Sequence, residues 1–283
     1  MQRALAALIA ALFFSLTQSA DADLLERIAG NGEMVGQFDG VLVPVDLPTE
    51  SLADLLPPQL KLERPRAQST LAVLAIGIQR DVHFVGQKKY LKYRPSETKK
   101  YHEVIVAVPN LYLEVGDEII GPVTHYALLY LNSQKAIDLG KNFWGYPKFA
   151  AEMTGGELAD ADSLDDPVNY LVKADDAPLL EAAFRIGDVD PAMHKAGAFE
   201  EVEAMLKQPV VLKHDESWMF KEFDWNLDEA SLSPASSDLK LHQGFWGEVQ
   251  IEAKRQALGE QLGSFRMQTR WRSRQIEQIK ETP

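Results

Sequence analysis

The chain of 283 residues contains no cysteine, so no disulfide can support its fold. Its stability must come from a packed core, and a hydrophobic content of 46% is sufficient for one sizeable domain. Basic residues are also in short supply, with 29 Lys and Arg against 42 Asp and Glu, which gives a net charge of −13. This charge argues against nucleic-acid binding and against attachment to anionic membranes, but a local basic patch can still bind an anionic substrate.

The usual motifs of metal and cofactor sites are missing as well. The six histidines are scattered, and none forms a His-Glu-x-x-His pair. The acidic cluster at 160–166 lacks the glycine and the terminal glutamate of a calcium loop, which favours a solvated turn. The glycines at 30, 32 and 36 have the wrong spacing for a dinucleotide fingerprint, and no Gly-x-Ser-x-Gly elbow occurs. The sequence therefore predicts no metal and no cofactor.

The one long apolar run stands at the start of the chain. Met1-Gln2-Arg3 is a short positive segment, Ala4 to Leu16 is apolar, and Ala20-Asp21-Ala22 is typical of a cleavage site. We expect residues 1–22 to be a signal peptide, because a transmembrane helix needs about 20 apolar residues. An uncleaved anchor or a buried helix is the alternative. The expectation is a secreted or periplasmic protein, with no membrane attachment after cleavage.

Strand-length apolar runs dominate the rest of the chain. Thr70 to Ile78, Glu103 to Val108 and Thr124 to Leu131 are typical of buried strands, although a buried helix has a similar pattern. From 265 to 272, apolar residues alternate with Arg and Gln, which predicts a strand with a basic face that is solvated, meets a partner subunit or lines an anionic entrance. Neither an internal repeat nor a linker is visible, so residues 23–283 are predicted to form one mainly β domain.

Two short helices and one loop complete this prediction. A helix is expected from a cap at Asn132 or Ser133 through Leu139, with Gly140 as its C-terminal stop. A second helix is expected from Phe199 to Leu206, ended by Pro209. The acidic segment between 155 and 167 is predicted to be a loop.

The segment Lys141-Asn142-Phe143-Trp144-Gly145-Tyr146-Pro147-Lys148-Phe149 places Lys148 among aromatic residues. A free lysine has a pKa of about 10.4, so almost none is neutral at pH 7. Burial disfavours the ammonium and lowers this pKa by up to about 3–5 units. A neutral amine can then form a Schiff base with a ketone. The alternative is a surface lysine whose methylene chain covers apolar neighbours.

This segment resembles the acetoacetate decarboxylase family, in which Gly-aromatic-Pro-Lys carries the Schiff-base lysine. The segment 130–140 resembles the strand and helix that precede it, and Tyr101-His102-Glu103 is similar to the family's Tyr-x-Glu. Weaker similarities lie at Pro57-Pro58-Gln59-Leu60 and at 208–213. The resemblance implies an α+β fold, mainly β with short helices, built as an antiparallel β-barrel or cone. It also implies a homo-oligomer.

The resemblance assigns roles to several residues. Lys148 is the expected nucleophile and Glu103 the expected carboxylate that orients substrate or transfers a proton. The expected pocket residues are Tyr101, which would place a hydroxyl in the site, and the aromatic wall of Trp144, Tyr146 and Phe149. For Glu103 the alternative is a solvated strand edge, and for the aromatic residues it is ordinary core packing.

The sequence also departs from the family pattern. Phe149 replaces the second lysine, so desolvation alone would activate Lys148. No arginine occurs in Gln37-Phe38-Asp39-Gly40, Ala75 stands where a glutamate is expected, and residues 79–100 resemble an insertion.

Two classes of function follow from these observations. The first is a Schiff-base carboxy-lyase that acts on a small β-keto acid such as acetoacetate, and an aldolase or dehydratase would use the same intermediate. The second is a non-catalytic periplasmic protein that binds a small acidic or apolar molecule, with Lys148 protonated. A buried Lys148 amine favours the enzyme, and a solvated amine favours the binding protein.

Overall fold

The structure is a computed structural model that describes residues 33–64, 67–85, 100–155, 167–247 and 263–280. Strands make up most of this part of the chain. They are β1 Met34–Pro48, β2 Leu60–Leu62, β3 Ser69–Phe84, β4 Lys100–Val115, β5 Glu118–Leu131, β6 Lys148–Ala150, β7 Glu152–Gly155, β8 Val168–Ala174, β9 Ala177–Ile186, β10 Val210–His214, β11 Ser217–Trp225, β12 Ser231–Leu241 and β13 Ser264–Lys280. The α-helices are α1 Thr49–Leu55, α2 Gln134–Trp144 and α3 Gly197–Leu206, and Pro191–Lys195 and Leu227–Glu229 form single 3-10 turns.

All these strands belong to one sheet with the order β1-β3-β4-β5-β10-β11-β13-β12-β9-β8-β7. Pairing between β1 and β13 closes the first seven strands of this order into a ring. Most pairs are antiparallel, whereas β5 pairs in parallel with both β6 and β10. The mainly β architecture with short helices that the sequence predicts is confirmed.

The predicted strands lie where the apolar runs placed them. Thr70–Ile78, Glu103–Val108 and Thr124–Leu131 fall within β3, β4 and β5, whose central residues are largely buried. Burial on both faces explains why these runs do not alternate, since side chains of one strand point to opposite faces of the sheet.

The alternation at 265–272 is confirmed for β13, where Phe265, Met267 and Trp271 are buried. The interpretation of its basic face as simply solvated is wrong for Arg266. The Arg266 guanidinium donates two hydrogen bonds to the largely buried Asp39 carboxylate, at 2.9 and 3.1 Å. This ion pair joins β1 to β13, and it forms because the two strands pair where the ring closes.

The helix that precedes the lysine segment is longer than the sequence predicts. The Ser133 side chain accepts a hydrogen bond from the Ala136 amide, which confirms the N-terminal cap. The expected stop at Gly140 is wrong, because the helix continues to Trp144 and ends at Gly145, which adopts a left-handed conformation with φ 66°. The predicted helix at 199–206 is confirmed as α3, which begins two residues earlier.

Several predictions concern residues outside the described ranges. These are the signal peptide at 1–22, most of the acidic loop between 155 and 167, and most of the insertion at 79–100. Within the described ranges, no helix is both long and apolar enough to cross a membrane.

Candidate active site

The turn after α2 places Lys148 inside the molecule. The Tyr146 amide donates to the Gly140 carbonyl at 3.2 Å, and the Lys148 amide donates to the Tyr146 carbonyl at 2.8 Å. The chain then enters β6, where Lys148 pairs with Leu129 of β5. As a result, Lys148 has only 8% of its surface exposed.

Gly140 makes room for the lysine side chain. An added Cβ at Gly140 would lie 2.6 Å from Lys148 Cδ and 2.7 Å from Cε. The glycine thus stands in the middle of α2, where it costs about 1 kcal/mol of helix propensity relative to alanine. It lets the methylene chain of Lys148 pass directly against the helix backbone.

Among the described residues, Glu103 supplies the carboxylate that pairs with this amine. Its Oε1 lies 3.8 Å from Lys148 Nζ, which also donates to the Ala136 carbonyl at 3.3 Å. Burial lowers the pKa of Lys148, and the Glu103 carboxylate opposes that shift. Burial likewise raises the pKa of Glu103, and the Lys148 ammonium opposes it. Burial therefore favours the neutral form of both groups, which eases the transfer of a proton from the amine to the carboxylate.

Two further buried polar side chains hold the carboxylate oxygen of Glu103 that does not face Lys148. Gln79 Nε2 donates to Glu103 Oε2 at 3.2 Å, and Gln79 Oε1 accepts from the Trp271 indole at 2.9 Å. Because an amide bound at both ends cannot rotate freely, the carboxylate has a fixed orientation toward the lysine.

Aromatic rings enclose the two ionisable groups. Lys148 Nζ lies 5.2 Å from the centre of the Tyr146 ring, which stacks on Tyr126 and meets Trp144 edge-on. Burial raises the pKa of the Tyr101, Tyr126 and Tyr146 hydroxyls, and the nearby Glu103 carboxylate raises it further. These phenols remain protonated at neutral pH and can donate hydrogen bonds.

A second lysine, Lys221 of β11, points into the same cluster. It is 1% exposed, and its Nζ lies 3.8 Å from the centre of the Trp144 ring and 5.6 Å from that of Tyr146. Burial lowers its pKa to about 7, and the positive charge of Lys148 contributes to this shift. Both amines therefore border the ring of Tyr146.

The structure brings together most of the residues that the sequence singled out. Tyr101, Glu103, Trp144, Tyr146 and Lys148 are all buried around the amine. The alternatives of a snorkelling Lys148 and a solvated Glu103 are thereby excluded.

Phe149 is not part of this cluster. It is 43% exposed and packs on Tyr130, since consecutive residues of β6 face opposite sides of the sheet. Its predicted place in the aromatic wall is wrong. The expectation that desolvation activates Lys148 agrees with the structure, because burial is the largest influence on the pKa of this amine and lowers it. Lys221 of β11 lies near Lys148, whose positive charge lowers the pKa of Lys221.

Sequence reasoning missed Gln79, Trp271 and Lys221. Gln79 carried a weak signal, as the polar residue that directly follows the apolar run from Thr70 to Ile78. Lys221 also carried a signal, since it stands between Phe220 and Phe223 in an aromatic-rich segment. Neither pattern reveals a contact with residues that are far away in the chain.

A cavity of about 960 Å³ opens beside the site rather than around Lys148. Phe223 and Trp271 belong to its lining, and Phe223 also packs on Tyr126 of the cluster. We place the candidate site at Lys148 because the groups with shifted pKa values converge there.

Within the described ranges, no group of three or more His, Asp or Glu could hold a metal ion.

Comparison with known proteins shows the family and the fold of this chain. The family model described as acetoacetate decarboxylase (ADC) matches residues 32–213, more than half of the chain. No curated protein sequence matches the chain.

Several solved structures share the fold at low sequence identity. An acetoacetate decarboxylase-like enzyme from Sphingomonas wittichii RW1 has 12% identity and a TM-score of 0.58, over 88% of this chain and 94% of that one. The enduracididine biosynthesis enzyme MppR in complex with pyruvate has 14% identity and a TM-score of 0.57, over 89% and 90%. Acetoacetate decarboxylase from Legionella pneumophila subsp. pneumophila str. Philadelphia 1 has 15% identity and a TM-score of 0.52, over 88% and 89%. With its family match and its fold, the chain belongs to the acetoacetate decarboxylase family.

Proposed function

We propose that the protein is a Schiff-base-forming enzyme that acts on a small keto acid, with Lys148 as the nucleophile. The observation that carries this proposal is the buried Lys148 amine, held 3.8 Å from the buried Glu103 carboxylate within a wall of aromatic rings. An amine in such a position loses its proton more readily than a solvated lysine, and the neutral amine is the reactive form.

The simplest reaction is decarboxylation of a β-keto acid such as acetoacetate. The Lys148 amine attacks the ketone carbon, and loss of water gives a cationic iminium. The electron pair of the bond to the carboxylate then moves into the iminium, so that carbon dioxide leaves and a neutral enamine remains. Protonation of the enamine carbon and hydrolysis of the new iminium release the ketone and regenerate the amine.

Glu103 is suited to move protons during these steps. It can accept the proton that Lys148 must lose before the attack, and its raised pKa lets it return a proton to a reaction intermediate. Gln79 holds the other carboxylate oxygen, so Glu103 stays directed at the reacting centre.

Aldol or dehydration chemistry is a second candidate, because it uses the same iminium and enamine. MppR, which shares this fold, was solved with pyruvate and also with the condensation product of pyruvate and imidazole 4-carboxaldehyde. A condensation of this kind can proceed through an enamine on a buried amine such as Lys148, with a proton-transfer group beside it. The substrate, rather than the lysine site, would then separate the two reactions.

The competing hypothesis is a protein that only binds a small acidic or apolar molecule. It requires Lys148 to remain protonated, whereas burial lowers the pKa of this amine. The buried position of Lys148 therefore favours the enzyme.

Borohydride trapping tests the proposal directly. The protein is incubated with acetoacetate or pyruvate, reduced, digested and analysed by peptide mass spectrometry. We expect a reduced adduct on Lys148 that is lost in Lys148→Ala and retained in Lys141→Ala, which removes an exposed lysine that lies over Phe149. The adduct mass reports whether carbon dioxide has left. An unmodified Lys148 with both keto acids, together with a normal lysine titration, would refute the Schiff-base function and favour the binding protein.

The cellular location is part of the proposal. We propose that residues 1–22 are removed as a signal peptide and that residues 23–283 act outside the cytoplasm as one domain. Mass spectrometry of the N-terminal peptide from the native host tests this, and an intact residue 1 on the mature protein would contradict it.

A further inference from the structure

The position of Lys221 is not explained by Schiff-base chemistry at Lys148. Lys221 is more deeply buried than Lys148, and its Nζ rests 3.8 Å from the centre of the Trp144 ring. Among the described residues, no carboxylate lies within ion-pair distance of the Lys221 amine. The Glu103 carboxylate pairs with Lys148 instead. The second amine thus borders the site without a counterion of its own among the described residues.

Packing and stability do not account for this lysine either. A contact between an ammonium and an aromatic ring gives only a modest attraction. Moving an unpaired ammonium out of water costs more free energy than such a contact returns. An unbranched apolar side chain such as Met would fill the same space without that cost, so the amine itself needs an explanation.

The charges of the site indicate which kind of ligand it can bind. Lys148 and Glu103 together carry no net charge, whether the proton they share lies on the amine or on the carboxylate, so a protonated Lys221 gives the buried cluster one net positive charge. A single carboxylate that entered beside Lys221 would bring this sum to zero and would gain a charge-assisted hydrogen bond. The rest of the protein is strongly acidic, with a net charge of −13, so it offers an anion little general attraction. A cation inside the site, such as Lys221, can hold one despite this overall charge.

We propose that Lys221 binds the carboxylate of the keto acid while Lys148 attacks its carbonyl carbon. Both amines border the Tyr146 ring, so one small molecule with a carboxylate at one end and a ketone near it can meet both. The inference rests on the proposed function. It adds a residue that selects anionic substrates over neutral ketones.

A pair of matched ligands tests this role. Trapping at Lys148 is measured as a function of concentration with acetoacetate and with its uncharged methyl ester. In Lys221→Met we expect the half-saturating concentration of acetoacetate to rise at least tenfold, and that of the methyl ester to change less than twofold. The control is Lys213→Met, which removes a less buried lysine that lies over Trp218, and it should alter neither value.

Other outcomes of this experiment overturn the inference. If the half-saturating concentration of acetoacetate is unchanged in Lys221→Met, Lys221 does not bind the carboxylate. An equal loss for both ligands means that Lys221 only supports the structure of the site. An adduct on Lys221 itself means that it is a nucleophile rather than an anion-binding residue.

A separate measurement distinguishes this inference from the proposed function. Calorimetric titration with 3-hydroxybutyrate, which has a carboxylate but no ketone, reports anion binding without Schiff-base chemistry. We expect binding to the unaltered protein and to Lys148→Met, and at least a tenfold loss in Lys221→Met. If trapping at Lys148 fails but this pattern holds, the proposed reaction is wrong and the carboxylate site stands. If 3-hydroxybutyrate binds Lys221→Met as well as the unaltered protein, the carboxylate site is wrong.

Discussion

Gly140 and Lys148 are in direct contact, because the lysine side chain crosses α2 at the one position that has no Cβ. A methyl group at Gly140 would lie 2.6 Å from Cδ and 3.1 Å from Nζ of Lys148. The helix that precedes the lysine in sequence is therefore also a wall of its site. The position of the amine depends on a residue eight places earlier in the chain.

Replacement of this glycine should separate stability from reactivity. In Gly140→Ala we expect the free energy of unfolding to fall by less than about 1 kcal/mol or to rise, since alanine favours the helix by about that amount. The methyl group should displace the Lys148 amine, and borohydride trapping should decrease at least tenfold. Urea unfolding and trapping measure the two effects.

The control for this prediction is Gly197→Ala. Gly197 begins α3, and a Cβ added there would meet no described atom within 4 Å, so this change should leave trapping unaffected. Normal trapping in Gly140→Ala would contradict the prediction, because the Lys148 side chain would then reach the same position in a different conformation.

The Lys221 amine should make stability depend on pH in the alkaline range. Its pKa falls from 10.5 to about 7 on folding, so the unfolded state binds more protons between these values and stability rises with pH across this window. The full cost, on the order of 5 kcal/mol, is present below pH 7. Lys221→Met should therefore stabilise the protein most at pH 7 and progressively less toward pH 10.

Chemical unfolding at pH 7, 8.5 and 10 measures this gain. The exposed ion pair of Lys207 with Glu203 provides a control, because Lys207→Met should give the same small change at each pH. A gain for Lys221→Met that does not shrink with pH would mean that Lys221 is protonated in the folded protein throughout the range.

Glu103 should shift the pH at which Lys148 reacts. An ionised carboxylate at 3.8 Å raises the pKa of the lysine, so Glu103→Gln removes the group that opposes the effect of burial. The midpoint of the pH profile for trapping should move to lower pH, while turnover of a true substrate should fall because the proton-transfer group is lost. Glu114→Gln, at an exposed ion pair with Lys61, should move neither quantity. A midpoint that moves to higher pH would contradict this arrangement.

The sequence predicts the local parts of this fold well. Apolar runs identify β3, β4 and β5 because each strand is buried on both faces. The lysine segment predicts a buried amine because its aromatic residues and Pro147 are adjacent in sequence. In the same way, Tyr101 and Glu103 share one face of β4 because they are two residues apart.

The remaining features depend on contacts between distant strands. Lys221 meets Trp144 only because the chain returns through β10 and β11 beside β5, and Arg266 meets Asp39 only because β1 pairs with β13. The sequence pattern predicts a helix stop at Gly140, since a glycine that follows an apolar helix usually ends it. Here the helix continues through Gly140 and ends at Gly145, and Gly140 instead leaves space for the Lys148 side chain.

His125 should limit stability in acid. Its ring is buried, with Nδ1 2.9 Å from the Val211 carbonyl, and burial lowers its pKa from 6.5 to about 4. The unfolded state binds more protons between these values, so the contribution of this residue to stability is lost as pH falls from about 6.5 to 4, on the order of 3 kcal/mol in total. His125→Gln cannot take up this proton, and we expect it to flatten the dependence of the unfolding free energy on pH in this window.

The slope of the unfolding free energy against pH tests this prediction. Its absolute value does not, because His125→Gln also removes the bond to the Val211 carbonyl at every pH. The half-exposed His214 provides the comparison, and His214→Gln should keep the slope of the unaltered protein. Equal slopes in His125→Gln and the unaltered protein between pH 4 and 6.5 would mean that the His125 ring is protonated without opening the strand pair β5–β10. Unfolding in urea at half-unit steps of pH resolves the two cases, since the expected difference is larger than the error of such a measurement.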